Sequence, residues 1–396
     1  MTPPTDPSEP RAGLKLRRGP TLTAAATFFY WLSLYFYVPI LPLHARELGA
    51  SLTMVGAVVA AYAIAQVVLR LPLGIAVDLY GRRKPFAIAG MGVSAIGALL
   101  LAAAADPALL FGARAVTGIA AAGWVPISIL YASYFPEGAT TRAMGVIMAI
   151  NSSGLVIGTL SGGLLAERFG AESTFFAGAA AALVGTILLI AAPERTIARR
   201  AAKHSARTIL SVIKSPLLLQ ISAIGITTQF VSFSANFGFL PVYAESIGAG
   251  QAQVGYITTT VLTAGVMGAF AAVLITERVG YTGTILAASA ATLIAMALTP
   301  SVASLFPLGA LQAMNGLGRG AINTALIALT VRAAPPEHRA TAMGGYQAIY
   351  AIGMLTGPAV SGALANTMGL NAVFYLAAAV TLLGGGLALV RPLPRR

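Results

Sequence analysis

Three arginines stand inside long apolar stretches of this 396-residue chain: Arg70, Arg114 and Arg319. A guanidinium stays charged at any ordinary pH, and its planar fork of N–H donors matches carboxylate, phosphate and sulfate groups. A charge at membrane depth is costly, so each is a functional candidate by default. What is missing beside them matters as much. No Asp or Glu falls inside an apolar stretch: Asp78, Asp106, Glu137, Glu167, Glu172, Glu245, Glu277 and Glu337 lie at ends or in loops. His44, His204 and His338 are peripheral, and the chain has no cysteine. Acid–base, thiol and metal chemistry therefore lack their groups at depth, so no enzyme, metal site or cofactor is expected. A cation carrier needs a deep carboxylate, which leaves a neutral amphipathic or anionic small molecule as the expected partner. Arg70 lies eight residues before Asp78, close enough to the boundary to snorkel. Arg114 and Arg319 are the stronger candidates.

The stretches that hold these residues set the class of protein. Hydrophobic residues make up 57% and charged residues 9% of the chain, against roughly 25% charge in soluble domains. Twelve apolar runs are each long enough to cross a hydrocarbon core about 30 Å thick. They cover 21–43, 53–77, 85–105, 107–132, 143–166, 172–192, 216–243, 253–275, 282–299, 304–331, 341–365 and 371–390. A run alone in lipid must satisfy its own backbone, and none alternates like a barrel strand, so all are helices. The first is too long for a signal-peptide core. The expected fold is an all-α membrane protein of twelve transmembrane helices.

The net charge of +13 does not signal nucleic acid, because its placement follows a membrane. Both termini and every even-to-odd loop share one side, which holds twenty of the 25 Lys and Arg, while the opposite loops hold Arg46 and Arg168. The positive-inside rule makes the crowded side cytoplasmic. The expected organisation is a disordered cytoplasmic tail (1–20), a six-helix bundle (21–193), a basic linker (194–214), a second bundle (215–391) and a tail (392–396). A monomer in the bacterial inner membrane, touching lipid, is the expected state.

The chain also repeats itself. A shift of 199 positions lays Pro42 on Pro241, Gly49 on Gly248, Gly81 on Gly280, Gly154 on Gly353, Gly158 on Gly357 and Gly170 on Gly369. A same-sense repeat over an even number of spans relates the halves by a two-fold axis along the membrane normal, with a cavity expected between them. The same shift lays Arg46 on Glu245. Opposite charges at symmetry-related outer ends make a possible outer gate.

After the second span stands Gly74-Ile-Ala-Val-Asp78-Leu-Tyr-Gly81-Arg82-Arg83-Lys84, which resembles the cytoplasmic loop motif of the major facilitator superfamily. Members usually carry Arg after the Asp, where this chain has Leu79. Gly74 permits close helix approach, Asp78 can face a helix N-terminus of the other half, and Gly81 makes the turn. The degenerate copy is Glu277-Arg278-Val279-Gly280. The fourth span carries Arg114-Ala-Val-Thr-Gly118, similar to the family's Arg-x-x-x-Gly signature. The fifth carries Gly154, Gly158, Gly162 and Gly163, similar to the pattern of its drug/proton antiporters. The usual Pro is Thr159 here and appears instead in the copy as Gly353-x-x-x-Gly357-Pro358.

The resemblance implies two pseudo-symmetric bundles rocking about a central site, with spans 1, 4, 7 and 10 lining it. Candidate cavity residues are then Arg114 and Arg319 with Tyr30, Trp31, Tyr35, Gln229, Asn236, Asn315 and Asn323, and with Tyr346 and Tyr350 of span 11. It implies secondary transport by alternating access, with proton-linked efflux of a small amphipathic or anionic compound. Uptake or facilitated diffusion of an organic anion or sugar-like solute, or lipid flipping, is the alternative.

Overall fold

The computed structural model describes residues 9–80, 82–194, 211–335 and 338–394, without the side chains of 9–17, 70–72, 74–79, 137, 141 and 340. Among the described residues there is no strand. The spans form α1 (Glu9–Tyr35, then Leu41–Glu47), α2 (Leu52–Tyr80), α3 (Lys84–Ala102), α4 (Pro107–Ala122 and Trp124–Ala132), α5 (Thr140–Phe169) and α6 (Ala171–Ala191). The second set is α7 (Pro216–Val231, Ser232–Phe239 and Leu240–Ser246), then Gln251–Leu298, then α10 (Leu305–Arg332), α11 (Arg339–Met368) and α12 (Leu370–Val390). Gln251–Leu298 is two spans in one run, divided where Gly280 takes φ 72°. Its arms are α8 (251–279) and α9 (281–298). The chain is thus a multi-pass integral membrane protein.

The repeat is visible in the backbone. Left-handed glycines occur as the pairs Gly49 with Gly248 and Gly170 with Gly369, each at a tight turn where a Cβ would be strained. The short helices that end α1 and α7 are also equivalent under the 199 shift. Pro39 and Pro42 interrupt α1, since proline gives no N–H to the preceding turn. In α7 the same region widens into a π-helix over Ser232–Phe239 just before Pro241, a form often found at functional sites.

One boundary differs from expectation. Helix α1 begins at Glu9, so residues 9–20 of the expected tail belong to it. Leu14, Lys15, Leu16, Arg17 and Arg18 are good helix formers, and a nucleated helix extends at one hydrogen bond per residue. Most of the linker, 195–210, lies outside the described residues. Glu194 at its start accepts the backbone N–H groups of Arg83 (2.7 Å) and Lys84 (3.0 Å), capping α3.

The bundles join at the face opposite the basic loops, here called the far face. Along α5 and α8 the backbones nearly touch: a Cβ on Gly163 would stand 2.7 Å from Gly255 Cα. Thr159 Oγ1 and Thr259 Oγ1 hydrogen bond at 2.9 Å. At the seam's end Glu167 accepts from the Ala252 N–H at 3.1 Å, an anion on the positive N-terminus of α8. On the other side of the axis, Gly56 packs on Pro358 and Gly362 of α11. Arg46 Nη1 donates to Glu245 Oε2 at 3.1 Å.

Both side chains of that ion pair are exposed, 44% and 41%, so it biases the closure without locking it. Arg46→Glu is expected to raise labelling of a far-face cysteine by up to about fivefold, the equivalent of about 1 kcal/mol. Adding Glu245→Arg returns labelling to the original rate. Failure of that rescue contradicts the pairing.

Candidate functional site

Arg114 is carried into the bundle interface by α4. Asp106 caps that helix, its carboxylate accepting from Ala108 N (2.8 Å) and Leu109 N (2.9 Å), and Pro107 fits the first turn. Arg114 is 5% exposed. Its guanidinium lies 4.6 Å from the ring centre of Tyr62 and 5.6 Å from that of Tyr37, and Nη1 donates to Thr117 Oγ1 at 3.3 Å. Desolvated cation–π contacts contribute about 2 kcal/mol or more. Nε is enclosed with no hydrogen-bond partner. A narrow cavity beside it is bounded by Tyr35, Tyr62, Phe233 and Phe237. Tyr62 stacks on Phe233 (6.1 Å, 21°) and Tyr35 meets Phe237 edge-on (6.1 Å). Two rings from each bundle therefore close the space above Arg114.

Arg319 reaches the interface from α10 because glycines bring α8 and α10 together. Gly316 sits on the Val261 carbonyl, Gly320 on that of Gly265 and Gly268 on that of Leu317. Arg319 Nη2 occupies room that Gly265 leaves, 3.1 Å from where its Cβ would be. Its Nε is also enclosed without a partner. Arg319 borders a cavity within the second bundle, and Arg114 the one enclosed by Tyr35, Tyr62, Phe233 and Phe237. Each bundle thus supplies one arginine with an enclosed, unpartnered Nε.

Behind Arg319 lies a polar interior. Asn315 Nδ2 donates to Asn236 Oδ1 (2.8 Å) and Gln312 Oε1 (3.1 Å), and Gln312 Nε2 donates to Thr299 Oγ1 (3.0 Å). This chain ties the π-helix of α7 to α10 and the end of α9. An adjoining cavity of about 20 Å³ is lined by Thr227, Ser232, Ser289, Thr292, Asn315 and Arg319 among others. It has room for an ordered water. Thr292 Oγ1 and Asn315 Oδ1 are buried there without partners, and so is Asn236 Nδ2 beside Asn315.

The structure does not bring all the expected residues to this place. Trp31 packs edge-on against Trp124 (5.5 Å) and near Tyr35 (6.0 Å), within reach of the site. Tyr30 is instead fully buried, and its hydroxyl donates to the Ala120 carbonyl at 2.7 Å, fastening α1 to α4. Tyr346 is buried against Gly225 and edge-on to Tyr350 at 5.0 Å, inside the second bundle. Both fill the inside of a bundle with a large ring, and the Tyr30 hydroxyl is satisfied there by a carbonyl. Gln229 and Asn323 are half-buried and border neither arginine's cavity. Tyr62, Phe233, Phe237 and Gln312 were not singled out from sequence. The i, i+4 spacing of Phe233 and Phe237 beside a run of hydroxyl and amide residues was the available signal.

Of the loop motif, Gly81, the surroundings of Gly74 and the side chain of Asp78 lie outside what the structure describes. Arg82 is exposed, and Arg83 is half-buried. The glycine pattern is a packing surface. Gly154 rests against the Phe28 carbonyl and Trp31, Gly158 against Tyr35, and Gly162 against the Phe36 carbonyl. Its copy behaves alike, with Gly353 on the Ile226 carbonyl and Gly357 on that of Phe230.

A family model for the Major Facilitator Superfamily matches residues 23–248 and 222–396. The chain is 24% identical over 385 residues to an MFS-type transporter of Methanocaldococcus jannaschii, covering 95% of this chain and 99% of that protein. It is 27% identical over 372 residues to the multi-drug resistance efflux pump PmrA of Streptococcus pneumoniae, covering 87% and 88%. Its fold superposes with TM-score 0.80 on a bacterial homologue of the human lysosomal transporter Spinster, at 14% identity, covering 98% and 97%.

Replacing Asn315 with Leu strands the Asn236 and Gln312 amides in the bundle, at a cost of about 1–3 kcal/mol. Thermal unfolding in detergent should show that loss, and Asn236→Leu added to it should cost less than the sum of the two single changes. Strict additivity contradicts the network.

Proposed function

Because the chain belongs to the Major Facilitator Superfamily and is a membrane transporter, not an enzyme, we propose that it exports a small amphipathic compound bearing an acidic group. Transport is by alternating access and is linked to protons. The basic face is cytoplasmic, as the loop arginines favour. The observation that carries the substrate class is that Arg114 and Arg319, one in each bundle, each keep an enclosed and unpartnered Nε. Buried charges are ordinarily paired. Among the described residues no carboxylate forms a salt bridge with either arginine. An anionic group of the substrate supplies the missing partner, and the Tyr35, Tyr62, Phe233 and Phe237 rings take its apolar body.

The direction and the coupling rest on other support. The multidrug relatives favour efflux, and so does the helix α5 glycine pattern. Protons then move inward as the compound moves outward, through carboxylates at the faces such as Glu245.

In inside-out vesicles acidified within, the protein should accumulate an amphipathic carboxylate until the pH gradient is collapsed. Arg114→Ala and Arg319→Ala should each reduce that flux by about tenfold or more, the equivalent of one lost charge-assisted hydrogen bond of roughly 1.5–3 kcal/mol. Lysine at either position keeps the charge but not the fork and restores little. Wild-type flux in both alanine variants refutes the assignment.

A further inference from the structure

The small cavity behind Arg319 lies inside the second bundle, among α7, α9, α10 and α12, and measures about 20 Å³. That is room for one water-sized particle. An organic acid does not fit, because a carboxyl group brings its carbon skeleton with it. Arg319 as a whole is half-buried, yet its Nε is enclosed and unpartnered. The enclosed edge of the guanidinium therefore lacks an acceptor, while other atoms of the side chain stay accessible to a compound between the bundles.

The walls of the cavity carry hydrogen-bond donors. Thr292 Oγ1 of α9 is buried there with no partner, and Ser289 lines the cavity about one turn earlier on the same helix. A hydroxyl turns its proton toward whichever acceptor is present. Gly384 of α12 supplies a bare wall, since a Cβ there would run into Thr227 Oγ1. Asn315 presents an unpartnered Oδ1, and Asn236 Nδ2 beside it is also unpartnered. A half-turn of the Asn315, Asn236 and Gln312 amides exchanges O for N in each and keeps their mutual hydrogen bonds with the direction reversed. Asn236 and Gln312 then donate to Asn315 Oδ1. Thr299 Oγ1, which now donates to the Ala295 carbonyl, donates to Gln312 Oε1 instead. Asn315 Nδ2 is thereby turned to the cavity as a further donor.

We propose that this cavity binds one halide ion, such as chloride, held by Arg319 Nε, Thr292 Oγ1 and, with the amides reversed, Asn315 Nδ2. A water would satisfy single hydrogen bonds but leave the guanidinium charge uncompensated, and buried charges are ordinarily paired. Among the described residues no carboxylate forms a salt bridge with Arg319. A monatomic anion both fits the space and supplies the charge. Halide and acidic compound then compete for one positive charge. That competition rests on the acidic-substrate reading, whereas halide binding itself does not.

The test is equilibrium binding of radioactive chloride to the purified full-length protein in detergent, with no organic compound present. Binding should saturate at a single ion per chain. Bromide should displace the label, and sulfate and gluconate, too large for the cavity, should not do so at equal ionic strength. Thr292→Val keeps the charge and the shape and should weaken binding by about tenfold, the equivalent of one hydrogen bond to a charged group. Arg319→Gln should abolish it. The size series on the unmodified chain decides if a variant fails to fold. Displacement by sulfate as readily as by bromide places the ion on the basic surface and overturns the site, as does binding that never saturates or that is unchanged in both variants. An amphipathic carboxylate should lower the apparent chloride affinity several-fold. Saturable, Arg319-dependent binding that no carboxylate weakens upholds the halide site and refutes the pairing of Arg319 with the substrate.

Discussion

Helices in lipid gain nothing from burying apolar side chains against one another, so close backbone contact must hold them together. In this chain glycine supplies that contact, and the architecture follows from where glycine stands. Gly163 against Gly255 and Gly56 against Pro358 join the two bundles at the far face. Gly154, Gly158 and Gly162 fix α5 on α1, and Gly353 and Gly357 fix α11 on α7. Gly316, Gly320 and Gly268 lock α10 onto α8, and Gly265 leaves the room in which the Arg319 guanidinium lies. Scaffold and site thus depend on one kind of contact. Because that contact is flat and made of backbone, it can form in more than one place along a helix.

On this scaffold two positive charges sit where water is scarce. Arg114 is steadied by Tyr62, Tyr37 and Thr117, and Arg319 by backbone packing. Neither arrangement supplies a negative charge. On the function proposed above, the substrate's acidic group supplies it while bound. The aromatic rings above Arg114 come from both bundles, so separating the bundles opens the cavity and changes the arginine's surroundings together. The π-helix of α7 places Phe233 and Phe237 at that junction and Asn236 on the polar side, joining closure to the Asn315 network.

Much of this was legible in the chain. Hydropathy marked twelve spans, and the 199-residue shift marked the pairing of Arg46 with Glu245 and the paired turn glycines, because identity and φ sign are local properties. Arg114 and Arg319 stood out because a charge in an apolar run has few explanations. The aromatic residues were harder to place. Tyr30 and Tyr346 turn into their bundles while Tyr35 and Tyr62 face the interface, and which way a ring points depends on helix rotation set by distant glycines. Gln312 was illegible for the same reason, since its partners Asn315 and Thr299 lie on α10 and just after α9. The start of α1 was misplaced because Pro-rich polar sequence reads as a tail even where the membrane helix extends into it.

On the proposed function the site stays electrostatically incomplete until an anion enters. The most direct measurement is a calorimetric titration of purified protein with amphipathic carboxylates and their methyl esters, matched in size and hydrophobicity. Carboxylates should bind at least about tenfold more tightly, a difference of about 1.4 kcal/mol. Esters that bind as well as the acids would contradict it.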